Sequence, residues 1–209
     1  MAPLIRLLAI VSSILALTIG ASWAAPNYKI TVLPGGTEME YSGTIEFGSS
    51  GALRGALNDN PGVKVLHLLS RGGDVYWARQ MQNLVRDRGL ITVVDSRCMS
   101  ACAFVFLSGV ERYLAPGAKL GFHRESGDSQ SAAEVNMIEE SDAQAMRAMG
   151  ISGAFIDKAF STPSSDIWIP SEDELMSAHV ITGVTSRFAM PEDAKLAPNL
   201  AEQVLTANP

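Results

Sequence analysis

Histidine and cysteine are scarce in this 209-residue chain, which has three of the former and two of the latter. With no third cysteine and no histidine near the two, the side chains that complete a tetrahedral zinc site are missing. Basic blocks are absent as well. The 16 Lys and Arg residues stand against 22 Asp and Glu, giving a net charge of −6, so neither nucleic acid nor an anionic membrane surface is suggested as a partner. Internal repeats and domain linkers are lacking, which excludes a solenoid and argues for one domain. The uncharged, largely apolar stretch from Leu7 to Gly20 is short of the roughly 20 residues a membrane span needs.

That stretch instead has the plan of a secretory signal. Arg6 precedes it, and Ser22 and Ala24 supply small residues at the −3 and −1 positions of a cleavage site. Pro26 discourages cutting one residue later. The expectation is a signal peptide at 1–24 and a single mature domain at 25–209, exported to the periplasm or secreted, with no membrane association after cleavage; an uncleaved anchor is the alternative. Loss of Arg6, the one charged residue in that segment, takes the net charge from −6 to −7. Export also places the chain where disulfides persist.

Along the mature chain, "NYKITVL" (Asn27 to Leu33) and "GTIEF" (Gly43 to Phe47) alternate as strands do, and "SSGALRGALNDNPG" reads as a short helix. The continuous apolar run "VKVLHLLS" (Val63 to Ser70) suits a strand covered on both faces. "DVYWARQMQNLVRDRG" has helical spacing, with Asp74 as N-cap and Gly89 as terminator. "LITVV" (Leu90 to Val94) follows as another buried strand, completing a βαβ unit and predicting a parallel sheet. Ala101 to Leu107 is apolar all round, as a buried helix is. Two short strands flank Pro116-Gly117. A helix follows over Ser129 to Gly150, with apolar positions at Val135, Ile138, Ala145 and Met149. Then come a short helix at "SGAFIDKAF", a strand at "DIWI", a helix opened by a Ser171/Glu174 capping box, a last strand at "ITGV", and a loosely held tail from Pro191.

The chemistry converges on "RCMSACAFVFL". Ser100 stands where the chain enters a buried helix, and an unpaired hydroxyl in an apolar setting costs about 1–3 kcal/mol. A serine projecting into a cleft there suits a nucleophile, with the following amide, that of Ala101, donating to an oxyanion. Gly72-Gly73, at the end of the preceding apolar strand, can bring a second backbone donor close to a ligand. Of the histidines, His67 lies inside an apolar run and reads as a core residue with a satisfied hydrogen bond. His179, at a helix end, has a structural reading. His123 ends a short strand before a polar loop and is the best candidate base. Cys98 and Cys102 straddle Ser100 four residues apart. They read either as a disulfide, with small global but local bracing effect, or as two reduced apolar side chains.

"SACAFVFLSG" (Ser100 to Gly109) resembles the serine-bearing helix of the Clp protease proteolytic subunits. "RYLAPGAKLGFH" is similar to that family's strand-turn-strand ending in the catalytic histidine, and "LLSRGGDV" to its oxyanion segment. The resemblance covers about residues 43–184 in element order. It implies an α/β Clp/crotonase-like fold, built as a parallel sheet of ββα-type units with surrounding helices. It also implies Ser100 as nucleophile, His123 as base and the amides of Gly73 and Ala101 as oxyanion donors, acting on a peptide or protein substrate without a cofactor or metal, in a chain able to form homo-oligomers. Arg71 stands where the family has proline. The segment aligned with its third triad member leaves Thr162 near the expected place, with Asp166 four residues on as the candidate carboxylate and Asp157 as a second. Lys119 and Lys158 are the lysines a Ser-Lys dyad would draw on, at less favourable spacings. The expectation is an exported, ATP-independent serine hydrolase, with a non-catalytic binding protein of the same fold as the alternative and an acyl-thioester enzyme of the crotonase type as a third reading.

Overall fold

A computed structural model describes residues 25–126, 131–186 and 188; the expected signal segment and the tail from Pro191 lie outside the described residues. The chain opens with β1 (Tyr28–Val32) and β2 (Glu38–Gly43), antiparallel with Val32 opposite Met39. Then follow α1 (Ser49–Asp59), β3 (Val65–Leu69), α2 (Val75–Arg88), β4 (Ile91–Val94), β5 (Arg97–Met99), α3 (Ala101–Leu107), β6 (Arg112–Leu114) and β7 (Lys119–Gly121). The last elements are α4 (Ala132–Ala148), α5 (Gly153–Ser161), α6 (Glu172–Ser177) and β8 (Gly183–Val184). Six strands form one sheet in the order β1-β2-β3-β4-β6-β8, parallel throughout except for β1 against β2. β5 and β7 form a separate parallel pair, attached to the main sheet by a bridge between Ser70 and Cys98. The fold is thus α/β, with a mostly parallel sheet surrounded by helices.

Register explains the core. Met39 sits opposite Leu66 and Tyr41 opposite Leu68, so four fully buried side chains share one sheet face. They join a cluster with Leu53 and Leu57 of α1 and Met81 and Leu84 of α2. Each such side chain contributes about 1.5–3 kcal/mol by leaving water. Asp74 caps α2 by accepting from the Trp77 N–H, and Gly89 ends it in the left-handed conformation at φ 58°. α3 runs over Ala101–Leu107 and is buried on nearly every side, as its apolar sequence predicts. The Ser171/Glu174 capping box forms, and a second one, Ser131/Glu134, opens α4.

Several elements differ from expectation. The second strand is Glu38–Gly43 rather than Gly43 to Phe47: Gly43 turns the chain at φ 110°, where a Cβ would lie 2.2 Å from the Asn27 carbonyl oxygen. Beyond it Ile45 alone keeps a sheet-like bridge, to Gly73. "DIWI" is not a strand; Trp168 forms a single antiparallel bridge to Phe122. On α4 the inward residues include Val135, Asp142, Ala143 and Met146, while Ala145 faces out, because Asp142 is drawn in by an ion pair to Arg79 on α2. Among the described residues, no helix is long and apolar enough to cross a membrane.

Candidate active site

Ser100 occupies the single residue between β5 and α3, and its backbone stands at φ 55°, ψ −129°. For a residue with a Cβ this is a sparsely populated region that costs of order 1–3 kcal/mol and persists only when its surroundings impose it. Those surroundings are identifiable. The Ser100 N–H donates to the Gly121 carbonyl at 2.9 Å, and the Met99 N–H to the Ser70 carbonyl at 3.0 Å. The Cys98–Cys102 disulfide spans the turn. Although Ser100 is the N-cap of α3, its side chain does not cap the helix. Among the described residues its Oγ makes no hydrogen bond. The hydroxyl is therefore held on a strained strand-to-helix turn and left available, the arrangement that exposes a nucleophilic serine.

Gly72 packs directly against this turn. A Cβ at Gly72, where φ is 99°, would meet the Met99 carbonyl oxygen at 2.7 Å, Ser100 Cβ at 2.9 Å and the Ala101 nitrogen at 3.0 Å. Gly73, at φ 140°, is pressed as closely against Ile45, whose carbonyl oxygen would lie 2.1 Å from an added Cβ. Both glycines are thus required sterically. Hydrogen bonds from the Ile45 N–H to the Gly72 carbonyl and from the Asp74 N–H to the Ile45 carbonyl lock the segment, and the buried Ser70 hydroxyl accepts from the Gly72 N–H at 3.0 Å. Among the described residues, the Ala101 N–H, directly after Ser100, and the Gly73 N–H, one residue past the glycine packed on the turn, have no acceptor. A pair of fixed amides of this kind is what stabilises a developing oxyanion.

His123 follows β7. The parallel register sets Met99 opposite Gly121, which carries His123 one step beyond Ser100 on the neighbouring strand. His123 Nδ1 lies 2.6 Å from the carbonyl oxygen of Arg124. A carbonyl can only accept, so Nδ1 donates, and in the neutral ring the lone pair then lies on Nε2. The remaining candidates do not join this group. Asp166, exposed, accepts from the Ile167 N–H at 2.7 Å, and Asp157 faces a groove of about 200 Å³ between α4 and α5. Thr162 turns its hydroxyl to the Lys158 carbonyl, while its own carbonyl accepts from the Arg124 N–H. Among the described residues, no carboxylate bonds to His123. Neither Ser100 nor His123 lines the larger groove, of about 410 Å³, bordered by Asp95, Arg97, Met99, Lys119 and Ile169.

The other two histidines keep structural places. His179 Nδ1 donates to the Gly150 carbonyl at 3.2 Å. His67 is 1% exposed and satisfied at both nitrogens, by Asp95 at 2.6 Å and Glu38 at 2.7 Å. Burial alone would push its pKa down, but the hydrogen bonds and charges of Asp95 and Glu38 outweigh that and hold it above the ordinary value. With both ring nitrogens occupied, His67 has no lone pair to offer a metal. Sequence spacing missed its partners, 28 and 29 residues away, and also Ser70, whose only signal is a serine ending an apolar strand.

The main sheet and the β5–β7 pair, with a serine turn between strand and helix, define a Clp/crotonase-like fold. Among solved structures, the chain is similar to ClpP1 from Listeria monocytogenes and to a point mutant of the same protein. In both cases the TM-score is 0.61 at 16% sequence identity, over 72% of this chain and 91% of the other. The likeness is one of fold. No protein-family model matches the chain, and no curated protein matches it by sequence.

Proposed function

We propose that the protein is an exported, ATP-independent serine hydrolase acting on peptide bonds. The carrying observation is the backbone of Ser100: a non-glycine residue at φ 55° between strand and helix, with neither its hydroxyl nor the following Ala101 amide hydrogen-bonded among the described residues. In this reading Ser100 Oγ attacks the scissile carbonyl while His123 Nε2 removes its proton. The amides of Gly73 and Ala101 receive the oxyanion, and His123 returns the proton to the leaving amine. Water then hydrolyses the acyl-enzyme by the same route in reverse. The Ser100–His123 hydrogen bond closes as substrate binds, as catalytic hydrogen bonds commonly do. The Arg124 carbonyl sets the tautomer of His123; for Asp166 to take that part, its carboxylate would have to leave the Ile167 N–H and displace the Arg124 carbonyl. The likeness in fold to ClpP1 supports a peptidase-type scaffold and is compatible with homo-oligomers.

A second reading, a binding protein that keeps the fold without turnover, is favoured by the absence of a carboxylate on His123 among the described residues. A fluorophosphonate probe separates the two. Hydrolase chemistry requires covalent labelling at Ser100 in the folded protein that is abolished by Ser100→Ala, and a protein that stays unlabelled belongs to the second reading.

A further inference from the structure

The side chain of Arg79 joins the element that carries the oxyanion glycines to the segment that carries the base. Arg79 lies on α2, the helix that begins directly after Gly72-Gly73 and Asp74. Its Nη2 donates to Glu125 Oε1 at 2.6 Å, and Nη1 and Nη2 together grip both carboxylate oxygens of Asp142 on α4, at 2.7 and 2.8 Å. Glu125 is the second residue after His123. Its side chain is only 9% exposed, and that of Asp142 only 12%. Burial pushes the Glu125 carboxyl up, and the charge of Arg79 opposes that rise. A forked guanidinium satisfying two sheltered carboxylates is geometrically demanding in a way that an exposed ion pair is not.

The segment from Phe122 to Glu125 is tied at each end. Phe122 exchanges both backbone hydrogen bonds with Trp168, and the Arg124 N–H donates to the Thr162 carbonyl. Beyond these, the Arg124 side chain makes a longer contact to Glu139 of α4, at 3.3 and 3.4 Å, and Glu125 is held by Arg79. The carbonyl that fixes the His123 tautomer belongs to the peptide between Arg124 and Glu125. Its orientation therefore depends on where Glu125 is held.

We propose that Arg79 is a positioning residue for the His123 base, acting through Glu125 to keep the Arg124 carbonyl on His123 Nδ1. The proposal rests on the reading of Ser100 and His123 as a hydrolytic pair, but its structural half is observable without any activity. Released from this tie, the peptide turns, Nδ1 loses its acceptor, and the population with the proton on Nε2 grows; that form cannot accept the proton of Ser100.

The experiment is ¹⁵N NMR of the imidazoles in the intact protein, run beside the rate of fluorophosphonate labelling as a function of pH. Wild type is expected to show His123 in the Nδ1–H form. Glu125→Ala, which leaves the Arg79–Asp142 pair intact, is expected to give mixed tautomers and about ten-fold slower labelling. Arg79→Lys, which keeps the charge but not the fork, is expected to fall between the two and stands in for Glu125→Ala should that variant not fold. Asp142→Asn is expected to lower Tm while leaving the tautomer in place. Folded Glu125→Ala or Arg79→Lys protein that keeps the wild-type tautomer overturns the proposal. A tautomer shift in a protein whose Ser100 is never labelled leaves the clamp standing and removes the hydrolase reading instead.

Discussion

His123 donates its Nδ1 proton to the carbonyl oxygen of the very next residue, Arg124, across 2.6 Å. Such a contact fixes the ring's tautomer, as a carboxylate does in a catalytic triad, but lacks the full negative charge that would stabilise an imidazolium. Asp166, engaged with the Ile167 N–H, supplies neither.

Substitution at Asp166 is therefore expected to matter little. Asp166→Asn should leave the fluorophosphonate labelling rate within about three-fold of wild type, whereas His123→Ala should lower it by about 100-fold or more. Equal losses in the two variants would mean that the Asp166 carboxylate swings onto His123 during the reaction.

Gly72 presents a sharper steric case. Gly72→Ala places a methyl 2.7 Å from the Met99 carbonyl oxygen and 2.9 Å from Ser100 Cβ, at a φ of 99° that L-residues rarely adopt. The backbone conformation alone costs of order 1–3 kcal/mol, and the clash displaces the turn that aims Ser100. Chemical denaturation should show the loss of stability, and labelling should be almost abolished even where the variant folds. A stable, normally labelled Gly72→Ala protein would contradict this packing.

The disulfide should act locally. Closing a loop of so few residues restrains the unfolded chain by only about 2 kcal/mol in the chain-entropy treatment. Reduction, or the Cys98→Ser/Cys102→Ser double variant, is expected to lower Tm by a few degrees. It should slow Ser100 labelling several-fold, because one of the restraints on the strained turn is gone. Unchanged labelling after verified reduction would restrict the bridge to a stabilising role.

A pH dependence follows from the sheet face that carries His67. Glu38, Glu40 and Ser42 of β2 lie on the face opposite Met39 and Tyr41, with His67 beside Glu40 in register and Asp95 just past β4. Burial raises the pKa of Glu40, an effect that Ser42 and the charge of His67 only partly offset. His67 is raised by Asp95 and Glu38 in spite of its own burial. Both folded values lie above the unfolded ones, so the native state binds more protons and both contributions are lost as pH rises. The Glu40 contribution is complete below its ordinary 4.5 and that of His67 below 6.5; each disappears as pH climbs through the raised folded value. Urea midpoints should therefore fall as pH rises past 4.5 and again past 6.5, and Glu40→Gln should flatten the acidic part of that slope. A midpoint that rises over this interval would reverse the assignment.

What could be read from residues alone follows from where each signal resides. α2 and α3 were legible because helix spacing, an Asp N-cap and a terminal glycine are local properties, whereas the packing of Gly72 on the Ser100 turn and the β5–β7 register that sets Met99 opposite Gly121 join separate stretches of chain. β2 was overlooked although Met39 and Tyr41 alternate with Glu38, Glu40 and Ser42, because a buried glutamate on its second face disguises a central strand as a polar segment. The acceptor for His123 was illegible for a different reason. A backbone carbonyl has no residue type, so no sequence pattern announces it. Arg79 likewise reads as a solvated helix charge until Glu125 and Asp142, 46 and 63 residues away, are brought to it by the fold.

The central claim is that the strained turn at Ser100 presents a working nucleophile, and covalent modification tests it most directly. Intact-mass and peptide mapping of the folded wild-type protein after fluorophosphonate treatment should show one adduct, on Ser100. The adduct should be absent in Ser100→Ala and nearly absent in His123→Ala. A folded protein that acquires no adduct, or acquires it equally well without His123, would contradict the account.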